Sequence, residues 1–146
     1  MNSLNTEKWN RILVRFLLAF SFWEAVSIPV RMLFFAKFYF DPTLKSMFVP
    51  ITDVFWLGPV FSDLTFTLAF GFLYALMKEF LPQGLVGGFL VGILVSIIGF
   101  VSPMLWTLSL TNFAPTQLVW VWVAYYSLFT ISTAVIYSVG WKEDEE

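Results

Sequence analysis

Apolar positions in this chain run together in four long stretches, separated by short polar or proline-bearing breaks, and they fill almost all of its 146 residues. A helix needs ~20 apolar residues to cross ~30 Å of hydrocarbon, so each stretch predicts a membrane span. The spans are expected at about residues 12–30, 54–77, 84–108 and 118–139. The fold class this predicts is all-α: a single transmembrane domain over residues 1–146, an integral membrane four-helix bundle with antiparallel neighbours.

The breaks set the connections. Apolar character continues past Val30 to Phe40, too long a run for one perpendicular crossing at ~1.5 Å per residue. Pro29 and Arg31 divide it, which predicts a kinked first helix whose aromatic end leans along the interface. Asp41-Pro42 to Pro50-Ile51-Thr52-Asp53 is the longest polar connection, and its two prolines argue against continuous helix. Lys78-Glu79-Phe80-Leu81-Pro82-Gln83 is tight enough to make spans two and three antiparallel neighbours. Pro103 falls near the far end of span three, and an uncharged loop from Ser109 to Gln117 leads to the last span.

Basic residues orient the bundle. An inside N-terminus places Lys8, Arg11, Arg15, Lys78 and Lys142 on the cytoplasmic side, against Lys37, Lys45 and a surfacing Arg31 outside. Both termini are then cytoplasmic, in what is expected to be the plasma (inner) membrane. Trp56, Trp106, Trp120 and Trp122 fall at the outer boundary, and Trp9, Tyr137 and Trp141 at the inner one, as interfacial belts do. Trp23 lies near mid-span and is the exception. Ala19-Phe20-Ser21 follows a basic, apolar start much as a signal-peptide cleavage site would, but bulky Phe22 and Trp23 come directly after, so a retained helix is expected.

Composition sharpens the picture. Hydrophobic residues are 59% and charged residues 12%, more apolar surface than a soluble chain of this length could bury. Cys and His are both absent, which removes disulfides, thiol nucleophiles, the usual metal sites and His-based acid–base schemes. A non-enzymatic protein without metal or cofactor is the expectation. With a net charge of −2 and no basic patch, nucleic acid is not an expected partner.

Small residues mark packing faces. Gly84, Gly88, Gly92 and Ser96 recur every fourth position in span three and form one smooth stripe, along which a neighbouring backbone can approach closely. Span two offers a matching stripe of Asp63, Thr67, Gly71 and Ala75, and span four offers Thr130, Ala134 and Ser138. The short connection favours docking of Gly84–Ser96 on Thr67–Ala75. Otherwise the stripe is free to meet a second copy or other membrane subunits.

Two carboxylates are the chemical candidates. Glu24 lies nine residues beyond Arg15, ~13 Å in from that boundary, and Asp63 lies ten beyond Asp53, ~15 Å from the other. A charge at a helix centre costs ~2.5–3.5 kcal/mol, close to the ~3.7 kcal/mol needed to protonate an ordinary Glu at pH 7. Either protonation state is therefore accessible, the condition a proton-coupled group needs. Arg31, one heptad after Glu24, leans back into the membrane and is in a position to meet Asp63 across a helix interface. As a structural group, Glu24 would instead hydrogen-bond Ser21, Ser27 or a neighbouring Thr.

Two functions follow from these features. The first is an accessory, assembly or interaction subunit that binds other helices through its small-residue faces. The second is a proton-coupled transporter or channel-like dimer with Glu24 as the titrating site. In outline, four spans with Glu24 in the first, the chain resembles the small multidrug resistance transporters; that resemblance implies a dimer and proton coupling at Glu24. It extends no further than the placement of Glu24, and the long first connection departs from it.

Overall fold

A computed structural model describes residues 2–50, 53, 55, 57–112 and 114–139, with side chains from residue 9 onward. Among these residues the chain is all-helical, with five α-helices and no strand. They are α1 (Asn2–Tyr39), α2 (Leu57–Met77), α3 (Leu85–Ser96), α4 (Ser102–Leu110) and α5 (Thr116–Ser138). A π-helical turn, Ile97–Val101, joins α3 to α4, so the two act as one rod. Four rods result, Trp9–Tyr39, Leu57–Phe80, Leu85–Leu110 and Thr116–Ser138, each long and apolar enough to cross a membrane.

Several boundaries differ from the sequence reading, each for a local reason. Helix α1 does not end near Val30 but continues through Pro29 to Tyr39. Its 38 residues span ~57 Å, well beyond the hydrocarbon thickness. Pro29 removes only the N–H that would have met the Ala25 carbonyl, a loss one helix can carry. In the third rod, Pro103 has no N–H, and its ring would crowd the Gly99 carbonyl in a regular α-helix. The chain widens just before it, and the Ser102 N–H reaches back five residues to the Ile97 carbonyl. The connection after α1 holds a short 3-10 helix, Pro42–Met47, capped by Asp41, whose carboxylate accepts from the Thr43 N–H (2.9 Å) and hydroxyl (2.7 Å). Those two bonds hold the exposed Asp41 carboxyl below its ordinary value. Val54, Trp56, Trp141, Lys142 and the acidic tail lie outside the described residues, as does the side chain of Lys8.

Helix α5 is the centre of the molecule. It packs most closely on α3, then on α1, and also touches α2. Ten of its residues are buried, among them Phe129, Thr130, Ala134 and Tyr137. Rods two and three are joined by a short link but their backbones do not pack closely, because α5 lies against both; Phe66 and Phe100 meet across them at 6.3 Å between centroids. The small-residue stripe of α3 accordingly docks on α5 and not on the Thr67–Ala75 face. A methyl group at Gly92 would meet the Ile131 backbone at 2.7 Å, and one at Gly88 would meet the Ala134 carbonyl at 3.0 Å. The Thr67–Gly71 face of α2 meets α5 too: Tyr137 donates its hydroxyl to the Thr67 carbonyl (3.1 Å) and covers Gly71. Gly84 is not part of the contact. Its φ of 69° lies in the left-handed region, so it serves as the turn residue before α3. Tyr137 is a core residue, 1% exposed, and not a member of an interfacial belt; Trp9 and Trp106 are exposed.

Hydroxyl side chains inside the rods fold back on their own helices. Thr67 donates to the Asp63 carbonyl (2.6 Å), Ser96 to the Gly92 carbonyl (2.7 Å) and Thr130 to the Tyr126 carbonyl (2.8 Å). This i−4 bonding satisfies polar groups where no water is at hand.

Candidate functional site

The three sequence candidates converge where α1, α2 and α5 meet. Arg31 of α1 donates from Nη2 to Asp63 Oδ2 of α2 at 2.5 Å, and from Nε to the Tyr125 hydroxyl of α5 at 2.6 Å. Its guanidinium carbon also stands 5.7 Å from the Tyr125 ring centroid. One side chain therefore links three rods. The lean of helical side chains toward the N-terminus brings Arg31 inward, so it does not surface at the helix end.

Asp63 is buried to 3% side-chain exposure, whereas the Arg31 side chain keeps 30%. Such a pair stabilises the cluster only if the remaining polar atoms are also satisfied. The hydroxyl of Tyr125 meets one guanidinium N–H, and the Thr67 hydroxyl takes the backbone carbonyl of Asp63. Trp23 seals the floor. It is 1% exposed, stacks on Phe129 at 4.3 Å between centroids, and tilts against Tyr125 at 5.3 Å.

Glu24 is the member with one oxygen left over, its other contact being with Asp63. Its side chain comes within interaction range of both Asp63 and Arg31, yet its Oε1 is buried with no hydrogen bond among the described residues. Ser27, expected to hold the carboxyl, instead donates to the Glu24 backbone carbonyl at 3.3 Å. The cluster thus contains two acids and one base. With both acids ionised, one negative charge is uncompensated in a low-dielectric setting, and a proton shared between the carboxyls removes it. Tyr125 and Tyr126 are the titratable groups that α5 brings alongside.

A cleft of about 510 Å³ leads to the cluster. Arg31, Asp63 and Tyr125 line it together with aromatic rings from α1 and α5 and with Phe48, just after the 3-10 helix. That volume is within the ~300–1,000 Å³ usual for small-molecule sites.

Sequence reasoning identified Glu24, Arg31 and Asp63 and missed Tyr125 and Trp23 as their partners. Tyr125 sits in an aromatic-rich span, where one more tyrosine carries no local signal. The mid-span position of Trp23 was the available clue, because an indole N–H is out of place against lipid. Arg15, expected at the inner boundary, is 8% exposed and packed inside the bundle with Tyr74 in electrostatic range. The packing residues Gly88, Gly92 and Gly71 are buried on the α5 contact, away from this cluster; Thr67 touches both, Ser96 is buried, and Ala75 is half-buried.

In comparisons with known proteins, the chain matches no family model, no curated protein and no solved structure.

Proposed function

We propose that the chain is a multi-pass membrane protein whose four rods cross the bilayer as antiparallel neighbours, with both termini cytoplasmic. Its function is proton-coupled movement of a small solute through the Glu24–Arg31–Asp63–Tyr125 cluster. In that orientation the first helix bends near Pro29, and the cleft opens toward the outer side. The observation that carries this reading is the meeting of two acids with one base beside a cleft. A purely structural Arg31–Asp63 pair needs no third ionisable group, and Glu24 is one, brought beside the pair at the cost of burying a carboxyl oxygen without a partner. Glu24 is then the group that takes and releases the proton.

The accessory-subunit reading drew its support from free small-residue faces. Gly88 and Gly92 are covered by α5 of the same chain, so a partner helix would have to use another surface.

The test is proton movement. In liposomes holding a pH-sensitive dye, the parent protein is expected to relax an imposed pH gradient when solute is supplied, and a Glu24→Gln variant of unchanged helicity is not. A parent that moves no protons with any solute, or a Glu24→Gln variant as active as the parent, overturns the reading.

A further inference from the structure

The chemistry of the cleft names a class of solute. We infer that it takes an organic monocarboxylate with an apolar, aromatic-sized body, its carboxylate seated on the open edge of Arg31. This rests on the proposed reading of the cluster as a solute site, but not on the transport step.

The sign of the ligand follows from which charge is offered. The Asp63 side chain is 3% exposed with its Oδ2 held by Arg31, and Glu24 does not line the cleft, so neither acid is presented to an entering cation as openly as the guanidinium is to an anion. The guanidinium is the exposed partner at 30%. A guanidinium has five N–H donors, and the described bonds use one at Nε and one at Nη2. The two hydrogens on Nη1 and the second on Nη2 remain, a fork that matches the two oxygens of a carboxylate.

The number of charges follows from what lies behind Arg31. Asp63 and Glu24 are both within electrostatic range of it. A dianion such as phosphate would meet two acids behind a single base and be repelled, whereas a monoanion is tolerated when one acid holds a proton. The body of the ligand follows from the walls. Phe35, Tyr39, Phe48, Trp122 and Tyr126 surround the approach, so a planar apolar group is held by ring contacts.

Two sources share this chemistry: a free aromatic acid and a lipid-derived fatty acid. Full-length protein in nanodiscs should be titrated with radiolabelled phenylacetate, with oleate and phenethylammonium as competitors. Phenylacetate is expected to bind saturably, and phenethylammonium, its matched cation, is not expected to compete. Displacement of phenylacetate by excess unlabelled phenylacetate but not by oleate supports a free acid; tighter binding of oleate supports a lipid-derived one. Because loss of Arg31 alone would strand Asp63, the first variant is Arg31→Gln with Asp63→Asn. It should weaken phenylacetate by about tenfold or more, the effect of losing charge-assisted hydrogen bonds to an anion. Phe48→Ala, in the connection outside the rods, should weaken it less and leave the fold intact.

Phenethylammonium binding more tightly than phenylacetate, or neither acid binding, overturns the inference. So does a charge-free variant that binds phenylacetate as the parent does. Proton movement that depends on Glu24 without acid binding removes this inference alone. Acid binding without Glu24-dependent proton movement removes the transport reading and leaves this one standing.

Discussion

The contact between α3 and α5 and the junction of α1, α2 and α5 hold the same bundle together by opposite means. At the first, side chains are absent: Gly88 and Gly92 let the α5 backbone approach, and contact comes from dense van der Waals packing. At the second, Arg31 bridges Asp63 and Tyr125, with Glu24 beside them. Between helices that cross a bilayer, lipid gives no hydrophobic push, so in the proposed membrane setting each interface needs another source of attraction. Small-residue packing is permanent once formed. A charge cluster can change state, and for that reason it is the region where function is sought.

The largest expected effect comes from removing one charge of the cluster. Asp63→Leu strands the Arg31 guanidinium and should lower stability by ~3 kcal/mol, toward the low end for broken buried pairs because Arg31 keeps some exposure. Adding Arg31→Met should recover most of the loss. Thermal unfolding of both variants in detergent checks this; a single variant as stable as the parent would mean the pair is ornamental.

The packing interface should respond to volume and not to charge. Gly88→Leu forces a side chain against Ser138 and the Ala134 carbonyl and should cost ~2–3 kcal/mol. Gly99→Leu, with no atom within 4 Å of its added carbon, should stay within ~0.5 kcal/mol. Equal losses at the two positions would remove the distinction between docked and open glycines.

A smaller change sharpens the cluster. Tyr125→Phe keeps the ring and deletes the acceptor for Arg31 Nε, so a loss of about 1 kcal/mol is expected by the same melting assay. The effect should vanish in the Arg31→Met, Asp63→Leu background, and its persistence there would show that Tyr125 acts by packing alone.

The smallest effect lies outside both regions. Hydrogen bonds from Thr43 hold the Asp41 carboxyl below its ordinary value. A lowered folded value means the carboxylate's contribution to the cap is complete above ~3.9, the unfolded value, and fades as pH falls through the folded one. Carbon-13 titration of Asp41 should give a midpoint below that of a free aspartate, and a Thr43→Val variant should raise it. An unshifted midpoint in the parent would remove the cap.

Much of the architecture was legible before any contact was known. The four rods follow from the length and apolar character of each run, which are read without knowing any contact. Glu24, Arg31 and Asp63 also stood out, because an ionisable residue in such a run is conspicuous by itself. The docking partner of the glycine stripe was not legible. The short link after α2 argued for α2, but a link sets only which ends are near, and α5 took the face. The continuation of α1 past Pro29 into its aromatic end was expected, but the sequence put the span's end near Val30, since a proline marks a lost hydrogen bond without saying how far the helix survives it.

Hydropathy is a sum over single residues, so the residue order alone determined that the chain forms rods long and apolar enough to cross a membrane and where its rare charges fall along them. Which charges touch depends on how each rod is rotated about its axis and which rods are neighbours, and these are properties of the assembled bundle. Only the tertiary structure decided that Arg31 reaches both Asp63 and Tyr125, that α5 closes over Gly88 and Gly92, and that one Glu24 oxygen is left without a hydrogen bond.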